Sequence, residues 1–170
     1  MAAAKAERDK WRAALRKADA DGEKAISHCR LRLAQIFGAR FNAQWGAAGF
    51  RENSTMVPEV QDLRLKLLNS LHHYFTQHPA HQSTDMGATS DICLSAHAAL
   101  SNARSGVNHA SVGLRSAVKD KVKALKALRK RMRGLIHELH VLMADNDVRW
   151  RRFGLRLPSR IAVPEPVKQV

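Results

Sequence analysis

The sequence predicts an all-α fold: an elongated antiparallel helical bundle with long helices and coiled-coil-like packing. Three observations point there. The chain of 170 residues carries 26 alanines, a residue that favours helix strongly and adds little burial. Its nine aromatics and near lack of β-branched runs argue against sheet. Apolar residues recur every three or four positions over long stretches, the mark of helices with one buried face. A length of 170 residues suits a single domain, expected here as a helical bundle over residues 1–156 with an extended tail over 157–170.

The first helix is expected from Ala3 to about Trp45. Its stripe reads Trp11, Leu15, Ala18, Gly22, Ile26, Cys29, Leu33, Ile36, Phe37 and Phe41, close to a heptad rhythm. Gly22 lies on the stripe itself, which favours close approach of a neighbouring helix over a break. Gly46-Ala-Ala-Gly49 then ends the helix. After a polar loop from Arg51 to Thr55, Pro58 fits a first helical position and Glu59 suits the positive end of the helix dipole. Val60, Leu63, Leu67, Leu68, Leu71, Tyr74 and Phe75 make this second helix the most apolar segment; it should end at His78, before Pro79. Residues 80–89 read as a loop.

From Ser90 to Ala144 the pattern is helical again. Gly106, Ser111 and Gly113 suggest a turn, but Leu100, Ala103, Val107, Ala110, Leu114 and Val118 keep one phase across them. In-phase spacing favours one helix of about 80 Å, with Gly113 the place for a kink. A last short helix, Val148 to Phe153, is capped by Asp147 and stopped by Gly154. Trp150 and Phe153, three apart, can both fold back onto the end of the long helix. Pro158, Pro164 and Pro166 space the tail as in a linker.

The formal charge of +14 is unevenly spread: residues 113–160 hold fourteen basic and four acidic groups. Such a bias predicts an anionic partner surface: nucleic acid, an anionic membrane surface, an acidic protein, or the acidic face of another copy. Arg115, Lys119, Lys123, Lys126, Lys130 and Arg133 fall within a sector of about 80° on a helix, a cationic row about 27 Å long. Val118, Val122, Leu125, Leu128, Met132, Leu135, Ile136 and Leu139 fill the sector beside it. Arg149, Arg151, Arg152 and Arg156 extend the basic region. These ten basic residues are the candidates for contact with a polyanion or partner chain. The plain alternative is a solvated helix face whose lysine and arginine stems cover the edge of the apolar seam.

Enzymatic chemistry is not expected. His137-Glu-Leu-His140 lacks the four-residue histidine spacing of zinc proteases. No nucleophile elbow, glycine-rich phosphate loop or carboxylate pair in apolar surroundings is visible. Cys93 and His97 share a helix face, but His28 and Cys29 are adjacent and diverge by about 100°, poor geometry for a shared zinc ion. No cofactor is therefore expected, and Cys29 and Cys93 read as inert buried thiols. His72, His73, His78 and His81 cluster at a helix end, where partly charged imidazoles suit the dipole; a pH-responsive surface is the sharper alternative. No apolar run reaches the roughly 18 residues of a membrane-spanning helix, and the N-terminus lacks a secretory pattern, so a cytoplasmic protein is expected.

Ala127-Leu-Arg-Lys-Arg-Met-Arg-Gly-Leu-Ile136, with Glu138-Leu139, Asp147, Arg149-Trp150, Phe153-Gly154-Leu155 and Pro158, resembles a recurring pattern in uncharacterised bacterial proteins. Ala48-Gly-Phe-Arg51, Asn53-Ser-Thr55, Pro58 and Tyr74-Phe-Thr76 are similar too. In that group a helical region leads through a proline-rich linker into fibronectin type III domains. The resemblance implies a freestanding helical module whose relatives carry adhesive domains, and it brings no activity or cofactor. Together these readings favour a non-enzymatic structural or assembly module forming homo-oligomers through helical packing. The alternative is a sequence-independent nucleic-acid-binding protein that uses the basic row.

Overall fold

A computed structural model describes residues 1–51, 53–144 and 147–155. The fold is all-α, with the order α1 (Ala2–Phe37), α2 (Ala43–Ala47), α3 (Gln61–Gln77), a 3₁₀ turn (Pro79–His81), α4 (Ser90–Leu142) and α5 (Arg149–Arg152). Chain contacts divide the molecule into two compact units, Met1–Val118 and Lys119–Val170. The expected tail and Arg156 lie outside the described residues.

In the first unit the α1 stripe buries Ala18, Gly22, Ala25, Ile26, Cys29 and Leu33. Leu67, Leu68, Leu71, Tyr74 and Phe75 of α3 and Cys93, Leu100 and Ala103 of α4 complete the core. Gly22 answers a close approach: a Cβ there would stand 3.3 Å from a Leu68 methyl and 3.9 Å from one of Leu100. Rising positions on α1 meet falling positions on α4. Cys29 sits beside Cys93, Gly22 beside Leu100, and Trp11 beside Gly106, where a Cβ would drive into the indole. Gly106 is thus a seat for Trp11, and the helix runs through it without a turn. Near the start of α1, Ala4 and Trp11 share a shallow hollow with His109 and Gly113.

Two boundaries differ from expectation. The first helix stops at Phe37 instead of Trp45, because Gly38 takes φ +85°, a left-handed conformation that costs glycine little. The chain then restarts as α2. Asn42 accepts from the Gln44 and Trp45 amides and donates its side-chain amide to the Phe37 carbonyl. Trp45 is fully buried and donates its indole N–H to the Gly38 carbonyl at 3.1 Å. The second expected helix begins at Gln61, three residues after Pro58, because the Pro58 carbonyl is engaged elsewhere. It accepts from Arg64 at 2.7 Å while the same guanidinium grips Asp19 of α1 with contacts of 2.9 and 2.7 Å. Arg64 is the buried charged residue of this core, and its fork ties the 50s loop and α3 to α1.

Candidate interaction surface on α4

The second half of α4 carries the basic row, and its burial pattern separates it from the first half. Between Ser90 and Ala103, α4 places Cys93, Leu100 and Ala103 in the core. Between Val118 and Leu135 the same three-and-four spacing continues, yet every seam side chain faces water. Val122 is 59% exposed, Leu125 40%, Leu128 53%, Met132 50% and Leu135 56%. Large apolar side chains aligned on one helix face and left open mark a contact surface more often than ordinary monomer exterior.

The basic residues stand where the sequence put them. Arg115, Lys119, Lys123, Lys126, Lys130 and Arg133 are all exposed. Among the described residues, no ion pair engages any of the six; Arg133 donates to the Arg129 carbonyl one turn back. On the helical wheel the seam fills a sector of about 140° and the row the adjoining 80° or so. Lys121 and Arg129 lie inside the apolar sector. The segment 119–142 holds eight lysines and arginines against Asp120 and Glu138. It is a cationic edge along an apolar strip.

At the end of α4 the strip closes. Ile136 and Leu139 are half-buried, and Met143 and Trp150 are buried. Trp150 donates its indole N–H to the Ala144 carbonyl at 2.9 Å, and its ring centroid lies 4.6 Å from that of His140. Trp150 therefore caps the helix end, as its spacing suggests, whereas Phe153 is 58% exposed and does not join it. Asp147 accepts from the Arg149 amide at 2.9 Å and pairs with its guanidinium at 2.6 Å. That guanidinium, and then the amide, hold the Asp147 carboxyl below the usual carboxylate range. Of the four arginines expected to extend the row, Arg149 is thus engaged by Asp147, Arg151 and Arg152 are exposed, and Arg156 is outside the described residues.

Elsewhere the polar groups serve the fold. Cys29 and Cys93 are fully buried with their sulfurs 3.4 Å apart. The hydrogen bond to Cys93, followed by burial, pushes the Cys29 thiol far above its ordinary value, so it stays protonated and is a poor nucleophile and metal ligand. Among the described residues, no three histidine, cysteine or acidic side chains converge as a metal site would require. The histidine cluster is woven into the helix end: His72 bonds the Ser90 carbonyl, and His81 meets the Tyr74 hydroxyl at 2.7 Å. Arg32 donates to the His81 carbonyl at 3.0 Å. A cleft of about 260 Å³ beside Gly49, Phe50, Val57 and Leu67 is also lined by the exposed Arg51, Glu59 and Lys66. Its floor depends on Gly49 at φ +101°, where a Cβ would collide with Ser70.

Sequence reasoning missed the Arg64–Asp19 fork, since it depends on helix register across more than forty residues. No protein-family model, curated protein or solved structure matches this chain. No helix among the described residues is long and apolar enough to cross a membrane.

Proposed function

We propose that this chain is a non-enzymatic assembly module whose working surface is the open apolar face of α4, covered in use by another helix. The observation that supports this reading is the 40–59% exposure of Val122, Leu125, Leu128, Met132 and Leu135 on one face. Burying five such side chains gains roughly 1–2 kcal/mol each before the cost of association, enough to hold a helix when several act together. Homo-oligomers are one form such assembly takes. Light scattering over a range of concentrations tests it. Assembly through this face requires Leu125→Ser with Leu128→Ser to reduce any complex to its parts while circular dichroism keeps its helical signal. Complexes that survive the double substitution would count against the α4 face.

A second reading, sequence-independent binding of nucleic acid, is favoured by the six cations of the Arg115–Arg133 row, all exposed and, among the described residues, in no ion pair. It predicts phosphate contacts that weaken steeply with salt, with a log–log slope of about −0.9 per phosphate neutralised on duplex DNA. Replacing Lys119, Lys123, Lys126 and Lys130 by glutamine should flatten that slope by roughly four phosphates' worth in a gel-shift titration. An unchanged slope would remove the row from consideration.

A further inference from the structure

The occupant of the α4 face is constrained by charge. Val122, Leu125, Arg129, Met132, Ile136 and Leu139 follow the alternating three-and-four spacing of a coiled-coil seam. Along one edge of that seam stand Lys119, Lys126 and Arg133, seven residues apart and all exposed; along the other stand Leu128 and Leu135. We infer that this face takes an amphipathic helix of another protein, one bearing glutamate or aspartate every seventh residue along the edge that meets Lys119, Lys126 and Arg133. This rests on the assembly reading above and names its partner.

Three alternatives fit less well. A second copy paired through the same segment places the Lys119–Lys126–Arg133 edge either against its own twin or against an edge of Lys121, Leu128 and Leu135. Neither arrangement supplies an acid, and in the parallel one Arg129 would face its own twin across the seam. Nucleic acid answers the cations but leaves the leucines and Met132 in water. An anionic membrane surface would want aromatic anchors and a clean apolar side, yet residues 119–142 contain no aromatic Phe, Tyr or Trp, and Lys121 and Arg129 interrupt the strip. An acidic-edged helix satisfies both halves of the face at once. Its carboxylates meet the row, a seam acid meets Arg129, and its apolar stripe covers the rest.

The test uses the full chain and three fluorescent synthetic helices of about four heptads, all with leucine at the seam positions. The first carries glutamate at the flanking positions, the second lysine, and the third keeps the leucines of the first with its remaining positions scrambled. Anisotropy should show saturable one-to-one binding of the glutamate helix, at least about tenfold tighter than either control. Lys119→Glu, Lys126→Glu and Arg133→Glu together should reverse the preference toward the lysine helix, and Leu125→Ser with Leu128→Ser should abolish binding of both. Equal binding of the glutamate helix and its scramble, or tight binding confined to duplex DNA or phosphatidylserine vesicles, would overturn the proposal. A homo-oligomer dissolved by the leucine substitutions, with no preference between helices, would overturn it too while leaving the assembly reading standing. A monomer that binds none of the three helices would sink both.

Discussion

The two stretches of α4 were written with the same rhythm and met different fates. Over residues 93–103 the pattern is sealed: Cys93 and Leu100 are fully buried and Ala103 nearly so, beneath α1 and α3. Over residues 122–135 the pattern is at least as apolar, and it lies open. Periodicity decides which side of a helix is apolar; only a partner decides whether that side is dry. The pairing of α1 with α4 descends through Cys29–Cys93, Gly22–Leu100 and Trp11–Gly106 to the neighbourhood of Ala4 and Gly113. The basic row begins at Arg115, just past that point.

The contrast breaks most visibly under matched truncations. Leu100→Ala should cost about 2–5 kcal/mol in urea unfolding, as for a sealed core leucine, whereas Leu128→Ala should change stability by no more than about 0.5 kcal/mol in the unpartnered chain. Comparable losses at the two sites would mean that the second stretch is covered after all. A smaller effect sharpens the picture of the sealed half. Asp19→Ala strands the Arg64 guanidinium, which is 8% exposed, and should cost about 2–4 kcal/mol. That is less than for a fully buried pair, because the Asp19 side chain keeps 20% of its surface in water. Asp120→Ala, on the open half, provides the null comparison.

The smallest effect is read from Tyr74, the one tyrosine of the chain. Burial raises its phenol above the ordinary tyrosine value. The folded state therefore holds that proton more tightly than the unfolded state. The contribution to stability is complete below the unfolded value of about 10 and is lost as pH rises through the folded one. Absorbance titration should place phenolate formation higher in the native chain than in urea; coincident curves would remove Tyr74 from the sealed region.

Much of this was legible in the sequence. The all-α class followed from alanine content and spacing, and the continuity of α4 from the unbroken phase of Leu100 through Val118. Gly22 declared a close helix neighbour because it sat on the stripe. The break at Gly38 was not legible, since the apolar stripe carried on to Phe41 and no proline or polar cluster interrupted it. What stops the helix is a local device, Gly38 in a left-handed conformation with Asn42 bonding backward to Phe37 and forward to Gln44 and Trp45, and its signals are a single glycine and a single asparagine. The start of α3 was misplaced for a related reason: Pro58 is compatible with a first helical turn, but its carbonyl serves Arg64 instead. The exposure of the basic row could be anticipated, because six cations seldom hide. The exposure of the neighbouring seam could not, because a sequence shows a face without showing what covers it.

The direct test is hydrogen exchange along α4 in the dilute, unpartnered chain. A sealed first stretch and an open second one require amides between Cys93 and Leu114 to exchange at least about tenfold more slowly than those between Asp120 and Leu135. Equal protection along the whole helix, at a concentration where light scattering finds only monomer, would contradict the open face on which the proposed function stands.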